Sequence, residues 1–124
     1  MSKSVIIIGA GVVGLACGRE LSKKGYVVFI VDQESHIASQ TSARNSGVIH
    51  AGIYYPYNSL KAKLCIRGKH LLYKYCEQFG VTYSRTQKLI VATTSDETQI
   101  LLKLRETAAN NGVDLELILS LIHI

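Results

Sequence analysis

Gly9, Gly11 and Gly14 stand at G-x-G-x-x-G spacing directly behind the apolar run of residues 5–8. These residue types at that spacing bring a backbone against a pyrophosphate. Gly9 permits a tight turn off a strand, and Gly11 has no Cβ to hold the chain away from the anion. Gly14 lets the next helix lie close to the sheet, while Ala10 and Val13 complete the turn and the helix start. Free N–H groups and a partial positive charge at that helix start suit a doubly negative ligand. Asp32 lies about 20 residues further on, where a carboxylate accepts hydrogen bonds from ribose hydroxyls. Alone, such an acid reads equally well as a polar residue that closes a strand. In register with the glycines it completes a βαβ dinucleotide pattern.

The elements that must hold these groups can be read around them. Val5, Ile6, Ile7 and Ile8 form a β-branched run that predicts a strand buried on both faces. Residues 12–24 predict a helix, with Leu15, Ala16 and Leu21 available for packing and Gly25 ending it. Residues 26–31 predict a second buried strand. The fold class is therefore α/β, with a Rossmann-like βαβ unit at its start.

A chain of 124 residues, 48% of them hydrophobic, has the length for one domain with a core. It is short for a complete dinucleotide-dependent enzyme. Lys3 before an apolar run imitates a secretory signal, but Gly9, Gly11, Gly14, Gly18, Arg19 and Glu20 interrupt the run. Neither export nor a membrane span is expected. Cys17, Cys65 and Cys76 lack metal-ligand spacing, so no metal site is expected. Cys65 and Cys76 would lie about 16 Å apart along one helix, which favours reduced thiols. The net charge of +5 concentrates in Lys61, Lys63, Arg67, Lys69, Lys74, Arg85 and Lys88, against the single acid Glu77. A solvated helix face is the ordinary reading, and attraction of an anionic substrate is the other. No nucleic-acid motif accompanies the cluster, so no nucleic-acid partner is expected.

Residues 35–52 are rich in small hydrogen-bonding types: Ser35, Ser39, Thr41, Ser42, Asn45, Ser46, Gly47 and Gly52. Such a segment can wrap a long cofactor, and Val48, Ile49 and Ile53 make it too apolar for a solvent loop. Beyond a turn at Pro56, a helix is expected from Asn58 or Ser59 to about Phe79. Its buried side is expected to carry Leu60, Leu64, Leu71 and Tyr75, with Lys63, Arg67 and Lys74 elsewhere. Residues 81–85, 88–93 and 113–118 read as strands. Between the last two runs, Ser95 is expected to cap a helix that buries Ile100, Leu101, Leu104 and Ala108 and ends at Asn111-Gly112.

The run Gln40-Thr41-Ser42-Ala43-Arg44-Asn45-Ser46-Gly47-Val48-Ile49-His50-Ala51-Gly52-Ile53-Tyr54-Tyr55 closely resembles the L-2-hydroxyglutarate dehydrogenase/oxidase family. That family belongs to the FAD-dependent, D-amino-acid-oxidase-like superfamily. The resemblance continues through residues 59–65, 73–76 and 88–92, and covers residue 5 to about 116. It implies FAD bound by Gly9, Ala10, Gly11, Val13, Gly14, Asp32, Gln33, Thr41, Ser42 and Arg44. Asn45, Ser46 and Gly47 would lie near the pyrophosphate and flavin end, and the segment ending in His50 would approach the isoalloxazine. Two positions depart from the family pattern. Asp32 stands where relatives commonly carry Glu, and Arg44-Asn45-Ser46 where many have His-Asn-Ser.

The resemblance further implies an FAD-binding portion over residues 1–60 and the start of an interleaved substrate domain over 61–118. The implied reaction is oxidation of L-2-hydroxyglutarate to 2-oxoglutarate, with hydride passing to flavin N5 and a proton to a base. His50 is the candidate base, with hydrogen bonding to the flavin or its own loop as the alternative. Tyr54 and Tyr55 would offer hydroxyls to a substrate carboxylate or lie buried at a domain join. Arg44 would meet a phosphate or the solvent. An amine or amino-acid oxidase of the same superfamily shares the FAD residues, and a non-catalytic nucleotide-binding or interaction module is a further alternative. The electron acceptor, quinone or oxygen, is not legible, nor is membrane association. Expected compartments are the cytoplasm, including the inner-membrane periphery, or the mitochondrion for a eukaryotic chain with a missing presequence. Residues 119–124 leave the family pattern and resemble a translated sequencing adaptor, so His123 is expected to carry no function. A chain cut there is expected to bind FAD weakly and turn over nothing.

Overall fold

A computed structural model describes residues 3–118 and divides into two compact units, Met1–Gly47 and Val48–Ile124. The tail expected at 119–124 lies outside the described residues.

In the first unit, β1 (Ser4–Ile8), α1 (Val12–Lys23) and β2 (Val27–Val31) form the expected βαβ arrangement. The strands are parallel, with Ser4 opposite Val27 and Ile8 opposite Val31. Helix α1 ends where the N–H groups of Lys24 and Gly25 turn back onto the carbonyls of Leu21 and Ser22. It meets the sheet through small residues. A Cβ on Gly14 would collide with the Gly9 carbonyl oxygen, and one on Gly18 would stand 2.8 Å from Ile30 Cδ1 and 3.4 Å from Ile7 Cδ1. Gly18 is therefore as much a part of this contact as Gly14. Leu15 and Leu21 are half-buried, but Ala16, expected on the packed side, is exposed.

Burial of the strands on both faces does not occur. Ile7 and Ile30 point toward α1, whereas Ile6, Ile8, Phe29 and Val31 are exposed on the other face. A parallel sheet gains its second cover from another layer, and within this unit α1 covers one face.

In the second unit, α2 (Leu60–Phe79) starts at Ser59, whose hydroxyl accepts the Ala62 N–H, and ends where the Gly80 N–H bonds the Cys76 carbonyl. Helix α3 (Ser95–Asn110) is capped by Thr94 rather than Ser95. Thr94 Oγ1 accepts the Glu97 N–H, and the Glu97 carboxylate accepts the N–H groups of Thr93 and Thr94. That reciprocal pair satisfies donors the helix cannot satisfy itself. The core gathers Ile53, Ala108 and Val113, with Ala51, Ile66, Ile90 and Leu115 packed around them.

Two stripes differ from expectation. Leu60, Leu64, Leu71 and Tyr75 are exposed, and α2 instead buries Ala62 and Cys76, on the side that also carries half-buried Ile66 and Tyr73. Ile100 is exposed while Ala108 is completely buried. The strands expected at 81–85, 88–93 and 113–118 form no ladder; β1 and β2 make the only sheet among the described residues. A strand is a paired state, and these runs are held by side chains instead. Tyr83 donates to Glu77 at 2.8 Å, and the Arg85 guanidinium lies 4.3 Å from the Tyr73 ring centroid.

The glycine contacts separate two otherwise similar substitutions. Gly14→Ala drives a methyl into backbone, a type of overpacking that costs about 1–3 kcal/mol, whereas Gly18→Ala meets the flexible end of Ile30 and gains about 1 kcal/mol of helix propensity. Thermal unfolding of the intact protein is expected to give a clearly lowered midpoint for Gly14→Ala and little change for Gly18→Ala. Equal midpoints would contradict the packing.

Candidate functional site

The turn between β1 and α1 is tied down on several sides. Gly9 has φ +106°, a conformation other residues adopt only with strain. Its N–H donates to the Val31 carbonyl at 2.7 Å, and the Ala10 N–H donates to Asp32 Oδ2 at 2.6 Å. The Ala10 carbonyl accepts from the Ala38 N–H at 3.0 Å. Gly11, the N-cap of α1, has no side chain to cap it, and Ser42 supplies the missing acceptor. Its hydroxyl takes the Val12 N–H at 2.9 Å from thirty residues away. The N–H groups of Gly11, Val13 and Gly14 meet no protein acceptor among the described residues. They are the orphan donors of a helix start, and the positive end of the helix dipole coincides with them.

Beside this turn lies an open cleft of about 200 Å³, lined by Gly11, Asp32, Glu34, Ser39, Gln40 and Ser42, together with Ala38 and Thr41. Asp32 forms its acidic wall. Hydrogen bonds from the Ala10 N–H, then the Glu34 and Gln33 N–H groups, hold its carboxyl below the ordinary aspartate range. The Gln33 side chain stands in solvent. Glu34 Oε1 accepts from Gln40 Nε2 at 2.8 Å, which ties the two sides of the loop together. Ser39 Oγ is buried and has no hydrogen-bond partner. Sequence reasoning noted Ser39 only as one hydroxyl among many, because burial of a single oxygen leaves no local signal. The same holds for Ser42 as a cap.

Asn45 is occupied by its own loop. Its amide nitrogen donates to the carbonyls of Thr41 at 3.2 Å and Ser42 at 2.9 Å, and its oxygen accepts the Gly47 N–H at 2.8 Å. Arg44 and Ser46 are exposed, and the Arg44 N–H bonds the Thr41 carbonyl.

In the second unit His50 is exposed and Tyr55 half-buried, with His50 Nδ1 2.8 Å from the Tyr55 hydroxyl. Their rings are nearly parallel at 12°. Lys61 Nζ lies 4.6 Å from the Tyr55 ring centroid, and Lys88 Nζ 4.8 Å from that of Tyr54. Asn111, at the end of α3, donates to the Tyr55 carbonyl at 2.8 Å and the Gly52 carbonyl at 3.3 Å. Part of the basic cluster therefore rests on tyrosine faces rather than standing free in solvent. Cys17, Cys65 and Cys76 are free thiols. Among the described residues no cluster of three His, Cys, Asp or Glu could hold a metal ion, and no helix is long and apolar enough to cross a membrane.

The first unit fits a dinucleotide on its own geometry. Orphan N–H groups at a helix start suit phosphate, and a carboxylate with unused lone pairs suits sugar hydroxyls. The buried Ser39 hydroxyl lacks only a partner. A Cβ on Gly11 would stand 3.2 Å from Ser42 Oγ and crowd the cleft floor.

The comparisons agree with that chemistry. The family model described as FAD dependent oxidoreductase matches residues 4–121. The chain is 59% identical over 92 residues to the mitochondrial L-2-hydroxyglutarate dehydrogenase of Arabidopsis thaliana, covering 74% of this chain and 19% of that protein. It is 48% identical over 111 residues to the mitochondrial protein of the same name from Dictyostelium discoideum, covering 88% and 25%. The Homo sapiens protein of that name is 44% identical over 114 residues, covering 90% and 25%. The chain thus spans a quarter or less of the length of these relatives.

Asp32 yields a test with a defined sign. Folding lowers its pKa, so its stabilisation is complete above the unfolded aspartate value of about 3.9 and disappears as pH falls through the lower folded value. In thermal unfolding of the intact protein, the gap between wild type and Asp32→Ala is expected to be constant from neutrality to about pH 4 and to close below it. The same variant is expected to hold the dinucleotide about tenfold or more weakly. A gap indifferent to pH, with unchanged binding, would contradict both.

Proposed function

The chain belongs to the FAD dependent oxidoreductase family, and from that premise we propose that the protein it forms part of oxidises L-2-hydroxyglutarate to 2-oxoglutarate. The observation that carries this reading is the 59% identity over 92 residues to a protein named L-2-hydroxyglutarate dehydrogenase. The turn, acid and cleft of this chain support it independently at the level of the cofactor.

The N–H groups of Gly11, Val13 and Gly14 would hold the pyrophosphate of FAD at the start of α1. Asp32 would accept from ribose hydroxyls while its bonds to Ala10 and Glu34 keep the carboxylate aimed. Thr41 and Ser42 would border the phosphates. Asn45 would act by shaping the loop that carries Arg44, Ser46 and Gly47, since its amide already bonds that loop. When bound, FAD supplies the acceptor for the hydride that leaves the hydroxyl-bearing carbon.

His50 would take the hydroxyl proton. Its Nδ1 is engaged by Tyr55, which leaves Nε2 for the substrate. A dicarboxylate also calls for positive charge, and Lys61 and Lys88 supply it beside Tyr55 and Tyr54. The names of the relatives support the mitochondrion as the compartment.

The intact protein is expected to purify with flavin absorbance and to convert L-2-hydroxyglutarate to 2-oxoglutarate with an artificial electron acceptor, leaving amines and amino acids untouched. His50→Asn is expected to keep the flavin and lower kcat by about a hundredfold or more, the usual contribution of a general base. A colourless protein, or a flavoprotein that oxidises amines instead, would overturn the assignment. Full activity in His50→Asn would remove the base alone.

A further inference from the structure

We infer that Tyr55 is a positioning residue for His50, and that Asn111 holds Tyr55 in place for that purpose. The inference rests on the reading of His50 as the base and gives Tyr55 a task other than touching substrate.

His50 is exposed, and the Tyr55 hydroxyl is the one hydrogen-bond partner of its ring among the described residues. Without it, nothing there would fix the ring's rotation. At 2.8 Å the pair has two arrangements, and the bond at one ring nitrogen sets the state of the other. A base needs an unprotonated Nε2. The arrangement required is therefore Nδ1–H donating to the tyrosine oxygen, with the Nε2 lone pair turned outward.

Tyr55 can hold the rotation of the imidazole because its own backbone is anchored. Ile53, two residues before it, is 4% exposed and sits in the core of the unit. Asn111 donates to both the Gly52 and Tyr55 carbonyls and so clamps the turn between them. Asn111 also caps α3, with its N–H on the Thr107 and Ala108 carbonyls. The path runs from the end of a helix, through a side-chain clamp, to the hydroxyl that orients the imidazole.

The test reads the tautomer directly. Nitrogen-15 NMR of the intact, histidine-labelled protein is expected to give His50 as the Nδ1–H form in wild type. Tyr55→Phe, which removes one oxygen, is expected to shift it toward the Nε2–H form. With L-2-hydroxyglutarate, Tyr55→Phe is expected to lower kcat by about tenfold to a hundredfold with KM nearly unchanged. Asn111→Asp keeps the shape but removes both donors, and is expected to move tautomer and kcat the same way. An Nε2–H form in wild type, or a tautomer unmoved by Tyr55→Phe, would overturn the inference. So would a raised KM at full kcat, which would make Tyr55 a substrate contact. A wild type inert toward L-2-hydroxyglutarate would instead strike at the proposed function, and the tautomer measurement would still decide the role of Tyr55.

Discussion

The hydrogen bond from the Ala10 N–H to Asp32 Oδ2 joins the two ends that define the first unit. One end is the glycine turn leaving β1, and the other is the last residue before the loop that follows β2. Beside it the Gly9 N–H reaches the Val31 carbonyl, so the parallel ladder continues one step beyond the strands. The carboxylate answers a problem created by the turn. The turn at Gly9 leaves the Ala10 N–H outside the helix and ladder bonds, and the Asp32 side chain just past β2 meets it. Aspartate is short enough to make that bond and a second to Glu34 at once. Its remaining lone pairs face the cleft, so the group that builds the site also forms its acidic wall.

Cleft and turn depend on one another through this bond. Residues 32–42 return to the helix start, where Ala38 and Ser42 bond it from the far side. The helix N-terminus is thereby closed by a loop distant in sequence, while the N–H groups of Gly11, Val13 and Gly14 keep no protein acceptor among the described residues and Gly11 lines the cleft. That division is electrostatically consistent. The cleft joins a helix start with open donors to the carboxylates of Asp32 and Glu34, so a ligand that carries both phosphate and hydroxyls matches both.

The legible features were those encoded in local order. Glycine spacing and β-branched runs mark the βαβ unit, and Ser59, Gly80 and Asn111 mark helix ends, because these act within a few residues. Thr94 was missed beside Ser95, since two hydroxyls in succession offer the same cap and only Thr94 pairs with Glu97. Helix α2 misled for a different reason. It carries apolar residues on opposite sides, and periodicity cannot tell which side meets a core made of Ile53, Ala108 and Val113. Strand-like runs such as 81–85 satisfy composition but have no ladder partner. Ser39, Ser42 and the Asn111 clamp depend on contacts across tens of residues and have no local signature at all.

The lysines beside Tyr54 and Tyr55 bear on how a doubly charged substrate would be met. A lysine resting on an exposed aromatic face gains only about 0.5–1 kcal/mol. A ring face accepts weakly and leaves the ammonium's donors to other partners. A charge-assisted hydrogen bond to a carboxylate is worth roughly 1.5–3 kcal/mol. By this measure a bond from Lys61 or Lys88 to a carboxylate would exceed the contact each makes with its tyrosine ring. Arg85 is differently committed, since it stacks on Tyr73 and lies 3.6 Å from the Glu77 carboxylate. A guanidinium already facing an acid has less to gain from a second one. Lys61 and Lys88 thus differ from Arg85 in partner: each lies over a single tyrosine ring, whereas Arg85 fastens residues 81–85 to α2.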